Sequence, residues 1–317
     1  MPTRDVSSMK PTLFFLDGTV VAPGRVALAA QYNEYADVDA SRVLLMLEDG
    51  WVKIDFDDDV IRSLSFAWST GTLFMLGTSG VVYTVGGRNP AFTRASIKGT
   101  RQEHQVVDPE GRGELTRIRC IGERVFTCGL GGQLFERRGG VWHDFTLTIP
   151  ISDCPDFEDV AVDASGQPIV VGSNGAIHRL SASGLQALDS PTNRYLSSIV
   201  AGSNGRCFAC GNDGVVLSIG DGVFEDLSVE LEPVRNLWAI AEHLGALYVC
   251  DPTRLLRQAD TNEAAWVVET ISTDPVPTYY RLVSAGEELW SFGADHVFVK
   301  RGTSWTRLLV PGNEIAP

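Results

Sequence analysis

Short runs in which apolar and polar residues alternate, each ended by a glycine- or aspartate-containing turn, recur along the chain, as strands that bury one face require. Six segments share one sequence of events, an apolar strand, a tight turn and a second apolar strand. They are LFMLGTSGVVYTV from Leu73, VFTCGLGGQLFER from Val125, IVVGSNGAIHRL from Ile169, CFACGNDGVVLSI from Cys207, LYVCDPTRLLRQ from Leu247 and LWSFGADHVFVKR from Leu289. With Gly77, Gly129, Gly172, Gly211, Asp251 and Gly293 as anchors, the third residue before each is Phe74, Phe126, Ile169, Phe208, Tyr248 or Trp290. The fifth after is Val82, Leu134, Ile177, Val216, Leu256 or Phe298. The same face is therefore buried in every unit.

The anchors are spaced by 52, 43, 39, 40 and 42 residues, a period that suits one four-stranded propeller blade. An inner strand precedes each motif, as in LTRIRCIG, FEDVAVDA and YRLVSAG, and an outer one follows, as in VWHDFTL, VFEDLSV and SWTRLLV. A sheet with two apolar faces must pack against neighbours on both sides, and a closed ring satisfies that condition. Six units run from Ile61 to Val310, and LFFLDGTVV, RVALAAQ, RVLLMLE and WVKIDFD supply a degenerate N-terminal blade. The expected fold is all-β, a single β-propeller over residues 12–310 with seven blades, six or eight also being compatible, between tails at 1–11 and 311–317.

The Gly-x-x-Gly turns, Gly77/Gly80, Gly129/Gly132, Gly172/Gly175 and Gly211/Gly214, lead into strands and not into helices. They are therefore read as hairpin turns with positive φ and not as phosphate loops. The stretch VAVDASGQPIVVGSNGAIHRL and its echoes resemble bacterial β-propellers of the WD-repeat-like and BNR-like group, including photosystem assembly factor-like and two-component regulator propellers. That resemblance implies the fold over nearly the whole chain. It carries no catalytic residues, because the Ser-x-Asp-x-Gly-x-x-Trp box and the Trp-Asp repeat ending are both missing.

Charge narrows the partners. The 26 basic and 40 acidic residues give −14, which disfavours a polyphosphate backbone and favours a basic partner. The N-terminal apolar run, Leu13 to Leu16, is too short for an export signal, and no uncharged stretch is long enough to span a bilayer. The six cysteines sit among apolar residues in strands, as reduced thiols of a cytoplasmic protein do. Cys207 and Cys210 form a C-x-x-C, but a spacing of three on a strand sends their sulfurs to opposite faces. His178 and His296 are read as rim or solvent-facing, and no metal or cofactor is expected. No nucleophile elbow, Walker loop or kinase signature is present.

Connections from the outer strand of one blade to the inner strand of the next emerge on one face of a propeller, and here they are acidic. Asp55, Asp57, Asp58 and Asp59 follow blade one, and Asp153, Asp156, Glu158 and Asp159 follow blade three. Glu230 and Glu232 follow blade five. The long second unit adds the polar segment from Gly99 to Glu114, with Arg101, Glu103 and His104, to the same expected face. Loops on a rigid scaffold are where such folds bind. The expected function is a non-catalytic, monomeric protein-binding propeller that docks a basic protein on this face, in one version a bacterial immunity protein that covers a toxin. The alternatives are a lyase or hydrolase with a small ligand in the central funnel, and an assembly or scaffold factor.

Overall fold

A computed structural model describes residues 13–32, 38–87, 91–106, 111–220, 222–260, 263–271 and 277–312. Seven four-stranded antiparallel sheets follow one another along the chain. Blade one spans 13–56 and the others 61–105, 115–144, 157–187, 196–226, 239–269 and 281–308. The innermost strands are Leu13–Ala22, Ile61–Ala67, Leu115–Ile121, Phe157–Val162, Leu196–Ala201, Ala239–His243 and Arg281–Ala285, and they neighbour one another in cyclic order around a central channel. This is a seven-bladed β-propeller. The N-terminal blade is a regular member of the ring.

Seven apolar clusters, one per pair of facing sheets, make up the core. Cys207 packs with Ile169, Val171 and Leu217 between blades four and five, whereas Cys210 packs with Val216, Ile240 and Val249 between blades five and six. Opposite faces of one strand thus serve two interfaces, as strand alternation demands. All six cysteines are free thiols.

The glycine turns have a split origin. Gly80, Gly132, Gly175 and Gly214 hold φ of +80°, +74°, +70° and +74°, where a β-branched residue is strained. The anchors Gly129, Gly172 and Gly211 are instead extended, with φ of −174°, −179° and −173°, which corrects the expectation of positive φ at both positions. Close approach demands glycine there: a Cβ on Gly172 would lie 1.8 Å from the carbonyl oxygen of Asp156. That oxygen accepts from Ser173 N at 2.9 Å, and Glu114 and Tyr195 repeat the contact in blades three and five. In blade six Asp251 replaces the anchor glycine and accepts from the backbone N–H groups of Thr253 and Arg254 at 2.8 and 2.9 Å.

The inner strands are joined to one another by side chains. A register shift follows Phe15, Ile61, Phe157 and Leu196, and the bulge turns Asp17, Ser63, Asp159 and Ser198 toward the channel side of the next blade. Asp17 Oδ2 accepts from Leu64 N at 2.8 Å, Ser63 Oγ from Ile118 N at 3.2 Å and Asp159 Oδ2 from Ile199 N at 3.1 Å.

Blade one comes wholly from the N-terminal part of the chain and blade seven wholly from the C-terminal part, so no strand is shared across the closure. Packing closes it. Phe15, Val20, Leu28 and Leu44 meet Trp290, Phe292, Val297 and Val299. The ring of Phe292 occupies the space where a Gly18 side chain would stand. Phe15 N donates to Ala294 O at 2.7 Å, and Gly24 N to Glu288 Oε2 at 2.9 Å.

Candidate functional site

The interblade crossings, and the turns between second and third strands, share one end of the propeller. Asp55 closes the outer strand of blade one and pairs with Arg42. Asp57 and Asp58 follow it, exposed and, among the described residues, without an ion pair. Asp153 is exposed in the short 3₁₀ turn Ile151–Asp153. Asp156 is half-buried and accepts from Gly131 N at 2.9 Å. Glu158, also half-buried, hydrogen bonds Tyr195, whose phenol is pushed up by burial and by that carboxylate.

Two expected contact residues belong to the interior. Asp59 is 3% exposed and accepts from Val60 N, Ser79 N and the Tyr83 hydroxyl at 2.8, 3.1 and 3.0 Å. Asp159 is fully buried and takes a forked hydrogen bond from Arg119, whose Nε lies at 2.7 Å. Burial would raise the Asp159 pKa, but Arg119 and Arg117 outweigh it and hold the carboxyl below its ordinary range. Spacing alone could not separate these from their neighbours, because a bulge turns Asp159 inward and Asp59 lies in a crossing between strands, where alternation sets no direction.

Arg101, Glu103 and His104 also move. They lie on and beside the outer strand of blade two, Gln102–Gln105, and part of the extra length of that unit, including the helix Arg94–Ile97, joins its third and outer strands at the opposite end of the propeller. Arg101 stacks over Phe56 and Tyr83 at 4.5 and 5.2 Å. Burial, then Arg137, lowers the pKa of His104. The two histidines expected at the rim differ as well: His296 is buried, and half-buried His178 packs edge-on against Phe157 at 5.2 Å.

The crossing face carries an aromatic ladder that was not singled out from the sequence. Tyr280 lies 5.0 Å from Trp238 and 6.0 Å from Phe14, ring centre to ring centre, and Trp238 and Phe14 are 41% and 36% exposed. Trp238 and Tyr280 occupy the position that is Arg62, Thr116, Glu158 or Ser197 in other blades. Aligning the inner strands one residue past their first core residue would have exposed this signal. Around the ring the ladder lies between exposed Glu230 and Glu232 on one side and Asp57 and Asp58 on the other. An exposed tryptophan stacked on a half-buried tyrosine and flanked by charge is the composition of an interface anchor.

The central channel is polar inside. Asp17 lies 3.5 Å from Arg281 and 3.9 Å from Arg117, and at the end away from the crossings a cavity of about 380 Å³ is lined by Phe66, Trp68, Arg119, Glu242 and Arg281. The carboxylate in its lining, Glu242, is engaged by Ser203 N and Oγ, and Arg119 in its wall is held by Asp159 beneath it. No histidine lines it, and among the described residues no group of three or more His, Cys, Asp or Glu is arranged around a common metal position. Nor is any described helix long and apolar enough to cross a membrane.

The ring of seven four-stranded sheets with bulged inner strands defines a seven-bladed β-propeller of WD40- and BNR-like architecture. Across 234 residues the chain is 27% identical to the immune protein Tsi7 of Pseudomonas aeruginosa, covering 71% of this chain and 74% of that protein. No family model matches. Among solved structures, YCF48 bound to D1 peptide superposes with a TM-score of 0.68 at 13% identity, over 93% of this chain and 94% of that one. The WD40 propeller domain of Doa1 gives 0.67 at 12% identity, over 90% and 92%. Virginiamycin B lyase from Staphylococcus aureus gives 0.66 at 14% identity, over 84% and 88%. At these identities the structures speak for the fold alone.

Proposed function

We propose that this chain is an immunity protein, a non-catalytic monomer that acts in the cytoplasm by covering a basic protein toxin with its crossing face. The reading rests on one observation above the others: the aromatic ladder Phe14, Tyr280 and Trp238 stands between carboxylates on the face of a chain similar to an immune protein over 71% of its length. Asp55, Asp57, Asp58, Asp153, Asp156 and Glu158 attract the partner, and the rings supply the buried contact. Asp59 and Asp159 shape the face from below.

The test is co-expression with the protein encoded by the neighbouring gene. The chain should restore growth and form a stable one-to-one complex, and Trp238→Ala with Tyr280→Ala should lose both without unfolding the propeller. Lack of protection together with lack of a complex would overturn the proposal.

A further inference from the structure

A second cavity of about 380 Å³ opens between blades two and three at the end opposite the crossings. Its walls carry Thr70, Thr72, Thr84, Thr100 and Arg137. Arg137 is unusual in this acidic chain: among the described residues its side chain has no ion pair and no hydrogen bond, and its Nε is buried without an acceptor. By contrast Arg119, Arg124, Arg179, Arg254 and Arg281 each lie within 4 Å of a carboxylate. The Arg137 guanidinium rests on the Phe74 ring at 5.6 Å, and burial lowers its pKa. Two further buried nitrogens without partners, His104 Nε2 and Trp142 Nε1, belong to the same interblade region. A half-buried guanidinium costs free energy unless an anion compensates it.

We propose that this cleft is an oxyanion site that takes a phosphate group. The guanidinium of Arg137 grips it from blade three. From blade two comes the Thr84 hydroxyl, which has no hydrogen bond among the described residues although the residue is only 5% exposed. The hydroxyl pair Thr70 and Thr72, 2.7 Å apart, shares one proton between its oxygens and can turn the other toward the anion. Donors converging from two sheets suit a tetrahedral oxyanion, and the planar fork of arginine matches two of its oxygens. The cavity exceeds the volume of one phosphate, so it accommodates a small monoester. The site is independent of the toxin-binding reading, because it lies at the other end of the molecule.

The experiment follows the thermal unfolding midpoint while inorganic phosphate or glycerol 3-phosphate is added at constant ionic strength, with sodium chloride and glycerol as controls. At a hundredfold excess over Kd the midpoint should have risen by about 4 °C, growing with the logarithm of the anion concentration. Arg137→Met should abolish the rise and Thr84→Val should weaken apparent affinity about tenfold. Glu123→Gln, which removes the exposed carboxylate from the cavity wall, should preserve or strengthen binding. Tighter binding of glycerol 3-phosphate identifies an esterified ligand, and equal binding identifies the free anion. The absence of a rise beyond that of the sodium chloride and glycerol controls with either anion, or the same rise in Arg137→Met, overturns the proposal. Should Arg137→Met fail to fold, Arg137→Lys and Thr84→Val decide, and unchanged affinity in both overturns it.

Discussion

Single residues in this propeller are constrained by backbone approach as strictly as by burial. Gly172 and Gly302 illustrate the difference. Alanine at Gly172 would place its Cβ 1.8 Å from a backbone oxygen that cannot yield, so it should cost about 3 kcal/mol or more. Alanine at Gly302, with φ of +58° and open space around it, should cost about 1 kcal/mol, the strain of a left-handed residue alone. Chemical denaturation of both variants measures the contrast. His178 sets a second constraint. Burial lowers its pKa from 6.5, so as pH falls the unfolded chain takes up a proton first. The stability this residue contributes is full above about pH 6.5 and is lost as pH drops through its folded value. His243, lowered by burial and then by Lys300, acts in the same direction. Denaturation midpoints between pH 5 and 8 should therefore fall on the acid side, and His178→Gln should flatten that slope.

Among elements, the closure between blades one and seven is the interface that no interblade connection spans. Phe292→Ala should cost about 3–5 kcal/mol, and so should Phe126→Ala between blades three and four. The two should differ in where amides open. Hydrogen exchange in Phe292→Ala should rise first in the inner strands of blades one and seven, whereas Phe126→Ala should leave that seam protected. Uniform exchange in both would mean that the seam is no weaker than the other interfaces. Four strands per blade and the count of seven were legible in the sequence, because period-two burial and the anchor motif repeat at nearly constant spacing. The bulges were not. A bulge adds one residue to a strand without changing its composition, and it decides that Asp159 points inward while Glu158 does not; Asp59 lies in a crossing, where no strand alternation sets the direction. The path of the second unit was equally hidden, since a polar segment between two blades can lengthen either end of the outer strand.

At the scale of the whole molecule, charge and topology act together. The acidity of the crossings was legible because blade order fixes which connections share a face, but the aromatic ladder escaped because its rings come from three blades and lie far apart in sequence. Fields from Asp55, Asp57 and Asp58 on one side of the ladder and Glu230 and Glu232 on the other add over the same surface, so approach of a basic partner should be fast and should slow with salt. The rings should govern how long it stays. The central claim, that this face is the binding surface, is tested most directly by association and dissociation rates of the captured partner across a range of salt. Asp57→Lys with Asp58→Lys should slow association about tenfold or more with little change in dissociation, while Trp238→Ala should speed dissociation about thirtyfold. Lysine at Glu225 and Glu287, away from the crossings, should change neither rate appreciably. Equal association rates for the two charge-reversed pairs, with unchanged dissociation in Trp238→Ala, would contradict the account and place the binding surface elsewhere on the propeller.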